Sequence, residues 1–173
     1  MHNGLLLFLK SHNILTSEHH GFMESKSTET ASHSFMQSVQ EALDRHLHTV
    51  GIFLDPSKAY DVINHKRLLD KLDSYGIRVS VNNWFQSYLT NRTQFVEISQ
   101  TDRNKYSQHR FHSSSKATSY GIQQGSILGP LLFLIYINSL PLNIRGIKLI
   151  LYADEAMYWL SIKMKKPCKP NYP

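Results

Sequence analysis

Residues 50–56 read VGIFLDP, a compact apolar run of strand-forming residues that stops at an aspartate followed by a proline. Residues 147–154 read IKLILYAD, a second mostly apolar run that stops at an aspartate, here followed by Glu155. Proline has a fixed φ and no backbone N–H, so Pro56 makes continuation as an interior strand unfavourable. The two runs predict two strands of one sheet, each with an aspartate at its carboxyl end, Asp55 and Asp154.

The remaining patterns predict helices and a third strand. Residues 156–160 are apolar and follow a polar turn, which predicts a strand that doubles back on 147–153. Apolar residues at helical spacing predict a helix from Ala31 to about Leu47, with Ser27 or Thr28 as its cap. The predicted fold class is α+β: an antiparallel sheet of residues 50–54, 147–153 and 156–160, packed on helices 65–75, 81–90 and 126–140.

Polarity and turn residues assign the segments between these elements. Gly76 is expected to close the helix over 65–75. Residues 93–99 alternate between polar and apolar and predict one strand, whereas the polar stretch 101–119 predicts a mobile loop. The lysine-containing tail, residues 162–173, is expected to be unstructured.

The composition excludes several classes of protein. Among 173 residues Cys168 is the one cysteine, which excludes an internal disulfide framework and a four-cysteine zinc site. Ten histidines are present, but the loop with His109 and His112 has no cysteine or acidic partner at ligand spacing, so we assign the histidines no metal. The apolar runs 5–9 and 127–140 are too short for a secretory signal or a membrane span, which favours an intracellular protein with no membrane partner. The net charge of +6 favours a polyanionic partner, nucleic acid first.

The two strand-end carboxylates suggest a metal site. An acidic residue at the end of a buried strand is costly unless something compensates its charge. Hard oxygen ligands at the end of a sheet suit Mg²⁺, which keeps several waters and accepts substrate phosphates. For either aspartate alone, however, a plain strand end that meets solvent remains the more common situation.

Three motifs resemble those of the reverse transcriptases of non-LTR retrotransposons, the jockey-like and LINE-like elements. FLDPSKAYD (residues 53–61) resembles their first catalytic motif, and YGIQQGSILGPLLF (120–133) resembles the second. YADE (152–155) resembles the tetrapeptide of the third, and the order along the chain is the expected one. The likeness extends over residues 5–160.

The resemblance implies a role for each site residue. Asp55 and Asp154 would hold catalytic Mg²⁺, and Glu155 would be the second acidic residue of the third motif, which we expect to be peripheral. Tyr60 would lie under the sugar of the incoming nucleotide, although a place in the core would also account for this aromatic residue.

Three further residues would bind the nucleotide. Gln124 and Gly125 would line the nucleotide and template pocket, where a plain helix entry is the alternative. Lys26 would face phosphate, although a lone lysine is more often a solvated charge.

The sequence departs from the family pattern at four positions. Met23 stands where the family usually has arginine, Pro56 replaces an aliphatic residue, and Gln123 replaces a proline. Glu155 replaces the second aspartate of the usual Ala-Asp-Asp and adds one methylene group. A one-carbon shift matters for a metal that requires near-ideal octahedral geometry.

The resemblance implies an incomplete polymerase domain. Residues 1–48 would be a partial fingers region, 49–161 the palm with three polymerase motifs, and 162–173 a basic tail, with the thumb absent. We therefore expect an RNA-directed DNA polymerase domain from a mobile element, with an RNA template, a DNA primer and deoxynucleoside triphosphates as partners. A non-catalytic nucleic-acid-binding remnant and an inert fragment are the alternatives, and the oligomeric state stays open.

Overall fold

The computed structural model describes residues 1–102, 107–144 and 147–162. These residues form helices and antiparallel sheets, which confirms the α+β class. The chain divides into two compact units, one of Met1–Ala59 with the residues from Gly125 onward, and one of Tyr60–Gln124. From residue 163 on, the predicted basic tail lies outside the described residues.

Thirteen elements follow one another along the described chain. The helices are α1 (His2–Ser11), α2 (Thr28–Asp44), α3 (His65–Ser74), α4 (Val79–Leu89), α5 (Gly129–Ile137) and α6 (Leu140–Asn143). The strands are β1 (His48–Leu54), β2 (Arg92–Gln94), β3 (Glu97–Asp102), β4 (Ser107–His112), β5 (Lys116–Thr118), β6 (Lys148–Tyr152) and β7 (Glu155–Ile162). In the described residues, no helix is long and apolar enough to cross a membrane.

The first unit is built on the predicted three-stranded antiparallel sheet. Its strand order is β1-β7-β6, so β7 lies in the middle and the two strands that precede the aspartates are its neighbours. Ala153 and Asp154 form the turn between β6 and β7. The three predicted strands are confirmed, each to within two residues at either end, and the two aspartates follow two strands of one sheet.

The prediction that the first of these strands is buried is wrong. On β1, Phe53 remains 64% exposed and Ile52 remains 53% exposed. The exposure of these side chains follows from the position of β1 in the sheet. β1 is an edge strand, and the strand that pairs with it in the described residues, β7, lies on one of its two sides. The core instead gathers around β6 and β7, where Ile150 and Trp159 pack with Ala31 of α2.

Two helices of the first unit show how local sequence sets their ends. Helix α2 begins at a capping box, in which the Ser27 side chain accepts from the Thr30 amide and the Thr30 hydroxyl accepts from the Ser27 amide. The predicted helix over 126–140 is shorter than expected, because Pro130 fits only in a first turn. Helix α5 therefore begins at Gly129, and Leu140 starts the separate helix α6.

The second unit combines two helices with two small sheets. Helices α3 and α4 match their predictions within two residues and bury an apolar core of Leu68, Leu72, Phe85 and Leu89. Gly76 closes α3 at φ +90°, as expected. The packing of the three-stranded sheet on these two helices stays a prediction.

The predictions for residues 93–119 are wrong in two respects. The stretch 93–99 is not one strand, because β2 pairs with β5 whereas β3 pairs with β4. The stretch 101–119 is not a loop, because β4 and β5 lie within it. Antiparallel ladders are held by backbone groups, so exposed polar side chains can form them without the alternating apolar pattern.

Candidate active site

The strand register brings the two predicted metal ligands to the same end of one sheet. Leu54 pairs with Ala156 and Tyr152 pairs with Glu155, so Asp55 follows β1 at the end where β6 turns into β7. Asp55 follows β1 and Asp154 follows β6, and β7 lies between these two strands. Neighbouring strands in a sheet are about 4.8 Å apart. The continued register would place Asp55 opposite Glu155.

A small cavity lies at this end of the sheet. Its volume is about 220 Å³, and Asp55 and Glu155 are its two acidic lining residues. The other lining residues are mostly apolar: Ala31, Phe53, Leu54, Ile150, Tyr152, Ala156 and Met157. Asp154 is half-buried in the adjoining turn and is not among the lining residues. The structure therefore groups Asp55 with Glu155, which the sequence had indicated to be peripheral.

The donor set at this end of the sheet fits a divalent cation of the magnesium type. Asp55, Asp154 and Glu155 offer carboxylate oxygens, and Mg²⁺ is commonly held by one or two carboxylates plus waters and substrate phosphates. No group of three His, Cys, Asp or Glu side chains among the described residues is arranged to enclose a metal by itself. An ion held by these carboxylates would need further oxygen ligands, such as water molecules.

The turn that carries Asp154 has an unusual backbone. Ala153 has φ +53°, in the left-handed region. An L-residue pays about 1–2 kcal/mol for that conformation, which persists only where the surroundings enforce it. Gly21 approaches this turn closely: a Cβ built on this glycine would lie 2.2 Å from the Ala153 amide nitrogen.

Lys26 lies in the loop before α2, and its ammonium group is held by its own segment. The Nζ group donates a hydrogen bond to the Ser17 carbonyl, and the side chain is half-buried. Burial lowers the pKa of Lys26, and the charge of Glu18 partly opposes that shift. The predicted contact of Lys26 with phosphate stays a prediction.

Tyr60 is tied through its backbone to the start of the second motif. The Tyr60 carbonyl accepts a hydrogen bond from the Ile122 amide at 3.0 Å. Gly121 has φ +85°, and a Cβ there would lie 2.9 Å from the Asp61 carbonyl oxygen, so only glycine suits this close approach. The second unit thus joins the end of the first motif to the segment that leads into Gln124.

Three contacts in the second unit were not identified from the sequence. His65 Nε2 hydrogen-bonds the Gly121 carbonyl at 2.7 Å, which adds a side-chain bond to the same junction. Arg92 lies over the Tyr88 ring at 5.1 Å and donates to the Gln123 side-chain oxygen at 3.0 Å. Arg92 therefore holds Gln123, the residue that precedes Gln124. Gly125, the last of the predicted nucleotide-binding residues, has φ +76° and open space at its Cβ position.

Known proteins similar to this chain are mobile-element polymerases. The chain is 28% identical over 145 residues to the probable RNA-directed DNA polymerase from transposon BS of Drosophila melanogaster, which covers 80% of this chain and 14% of the relative. It is 28% identical over 121 residues to the RNA-directed DNA polymerase from mobile element jockey of the same organism, which covers 70% of this chain and 12% of that relative. The chain thus spans a small part of these relatives.

A family model gives the broadest match. The model described as reverse transcriptase (RNA-dependent DNA polymerase) matches residues 2–166. That range contains all three motifs and every predicted site residue. The chain therefore belongs to the reverse transcriptase family, among the reverse transcriptases of non-LTR retrotransposons.

Proposed function

We propose that this chain contributes the nucleotidyl-transfer site of an RNA-directed DNA polymerase from a mobile element. The observation that carries the proposal is the strand register, because it puts Asp55 and the turn with Asp154 at one end of one sheet. The family generally uses divalent metal ions and acts on a template, a primer and nucleotides. In this proposal residues 1–48 are a partial fingers region and residues 49–161 the palm.

Asp55 and Asp154 are the residues that would hold the metal. Bound there, Mg²⁺ supplies activation of the primer 3′-hydroxyl and neutralisation of charge on the incoming triphosphate. Glu155, beside Asp55 in the cavity, adds negative charge that strengthens cation binding at the site. Its side chain is one methylene longer than the family's usual aspartate.

Four other residues are proposed to bind the nucleotide. Tyr60 would lie under the sugar, where its ring leaves no room for a 2′-hydroxyl. Gln124 and Gly125 would line the template and nucleotide pocket, and the contacts of Gly121 and Gln123 support that segment just before it. Lys26 would face phosphate once its bond to the Ser17 carbonyl is exchanged.

Primer extension on an RNA template in Mg²⁺ tests the proposal. Asp55→Asn should lower the extension rate about a hundredfold or more, because a metal ligand contributes several kcal/mol to the transition state. Asp70→Asn is the matched control, since Asp70 is an exposed carboxylate on α3. No extension by the unsubstituted chain, or equal rates with Asp55→Asn, would overturn the catalytic proposal. Salt-sensitive binding without extension would favour a non-catalytic nucleic-acid-binding remnant.

A further inference from the structure

A short segment before α2, residues 18–21, lies along the outer edge of β6, and we call it the strap. The His20 amide donates to the Leu151 carbonyl at 2.7 Å, and the Leu151 amide donates to the Glu18 carbonyl at 2.9 Å. His19 forms a parallel bridge with Leu151. Because β7 pairs with the other edge of β6, the strap extends the sheet on the side away from β7.

A buried polar cluster around His19 and Asn138 holds the strap in place. His19 is fully buried, and its Nε2 lies 3.2 Å from the Asn138 side-chain oxygen. That oxygen also accepts from the Thr16 amide at 2.9 Å, while the Asn138 amide group donates to the Ile14 carbonyl at 2.8 Å. Asn138 directly follows α5, so the strap is fixed to a helix as well as to the sheet.

The last residue of the strap, Gly21, touches the turn of the candidate site. A Cβ at this position would lie 2.2 Å from the Ala153 nitrogen, 3.0 Å from the Ala153 Cα and 3.1 Å from the Tyr152 carbonyl carbon. All three are backbone atoms, which cannot yield as a flexible side chain would. Ala153 holds the left-handed conformation at φ +53°, and Asp154 is the next residue.

We propose that the strap sets the backbone of Ala153 and thereby the direction of the Asp154 carboxylate, with Gly21 and His19 as positioning residues. The inference rests on the proposed function in so far as Asp154 acts as a metal ligand. An ion that needs near-ideal octahedral geometry tolerates little displacement of a carboxylate. A misplacement of about 1 Å can cost a hundredfold in rate.

Gly21→Ala is the variant that tests the inference. The added methyl must displace the backbone of the turn, so the NMR amide signals of Ala153 and Asp154 should shift more than those elsewhere in the sheet. Mn²⁺ affinity, measured from the free-ion EPR signal, should fall about tenfold or more, and kcat for primer extension should fall more than KM for the nucleotide rises. Gly51→Ala is the matched control on β1, where a Cβ would meet only the Phe53 ring at 3.4 Å.

The possible outcomes separate this inference from the proposed function. Unshifted Ala153 and Asp154 signals, unchanged Mn²⁺ affinity, or equal effects of Gly51→Ala would overturn the positioning role. If Asp154→Asn leaves Mn²⁺ affinity unchanged, the proposed function fails. In that case the Ala153 and Asp154 amide shifts in Gly21→Ala alone decide whether the strap controls the backbone of the turn. Should Gly21→Ala not fold, His19→Gln loosens the strap without adding atoms near Ala153, and it should change the same signals in a smaller degree.

Discussion

The buried His19 makes the first unit sensitive to acid. Its pKa is lowered from 6.5 to about 4, chiefly because burial penalises the charged imidazolium. The hydrogen bond to Asn138 and the charge of Glu18 partly oppose that shift, whereas Lys26 and His20 add to it. The folded chain thus prefers neutral His19, while the unfolded chain binds a proton near pH 6.5.

The size of the effect follows from the two pKa values. The stabilising contribution of neutral His19 is fully present above about pH 6.5 and is lost as the pH falls towards about pH 4. Between about pH 7 and about pH 5, protonation of the unfolded state should lower the free energy of unfolding by about 2 kcal/mol. Burial also lowers the pKa of His20, so its contribution has the same sign.

Urea unfolding at a series of pH values, followed by circular dichroism, measures this dependence. His19→Gln removes the titrating group, so we expect the free energy of unfolding of that variant to vary much less with pH. His33→Gln replaces an exposed histidine on α2 and should keep the full dependence. A His19→Gln variant with the same pH dependence as the original chain would refute the assignment to His19.

Three further substitutions test other parts of the fold. Asn138→Ala removes at least three hydrogen bonds and leaves buried groups without partners, so urea unfolding should show that the free energy of unfolding falls by about 3 kcal/mol. A loss below about 1 kcal/mol would contradict the proposed polar cluster. Gly121→Ala should lower the thermal midpoint, because a Cβ would lie 2.9 Å from the Asp61 carbonyl oxygen, whereas Gly4→Ala on α1 should not. Phe85→Ala empties a fully buried site and should cost about 3–5 kcal/mol in chemical unfolding, and a smaller cost would place Phe85 outside the core.

The sheet shows which parts of the fold the sequence could predict. The strands β1, β6 and β7 are apolar runs bounded by turn residues, so the local pattern was sufficient to find them. The exposure of β1 could not be predicted, because an edge position depends on strand order rather than on composition. Strands β4 and β5 were missed because their mostly polar residues lack an alternating pattern, while their backbone ladders form regardless.

The candidate site was also only partly predictable from the sequence. The shared position of Asp55 and Asp154 after apolar runs was visible in the sequence, and the register places both at one end of the sheet. Their role as metal ligands stays a prediction. The link from Gly21 to Ala153 could not be identified, because it joins residues far apart in sequence. The available signal was a glycine beside two histidines, His19 and His20, and a glycine in a polar loop is too common to indicate a close backbone contact by itself.

The claim that Asp55 and Asp154 serve one ion is tested most directly by paramagnetic broadening with Mn²⁺ in the ¹⁵N-labelled chain. If one ion is shared, the amide signals around both residues should broaden together as Mn²⁺ is added, and Asp55→Asn should relieve the broadening at both places. Broadening at one residue alone, or broadening near Asp154 that persists in Asp55→Asn, would contradict a shared site.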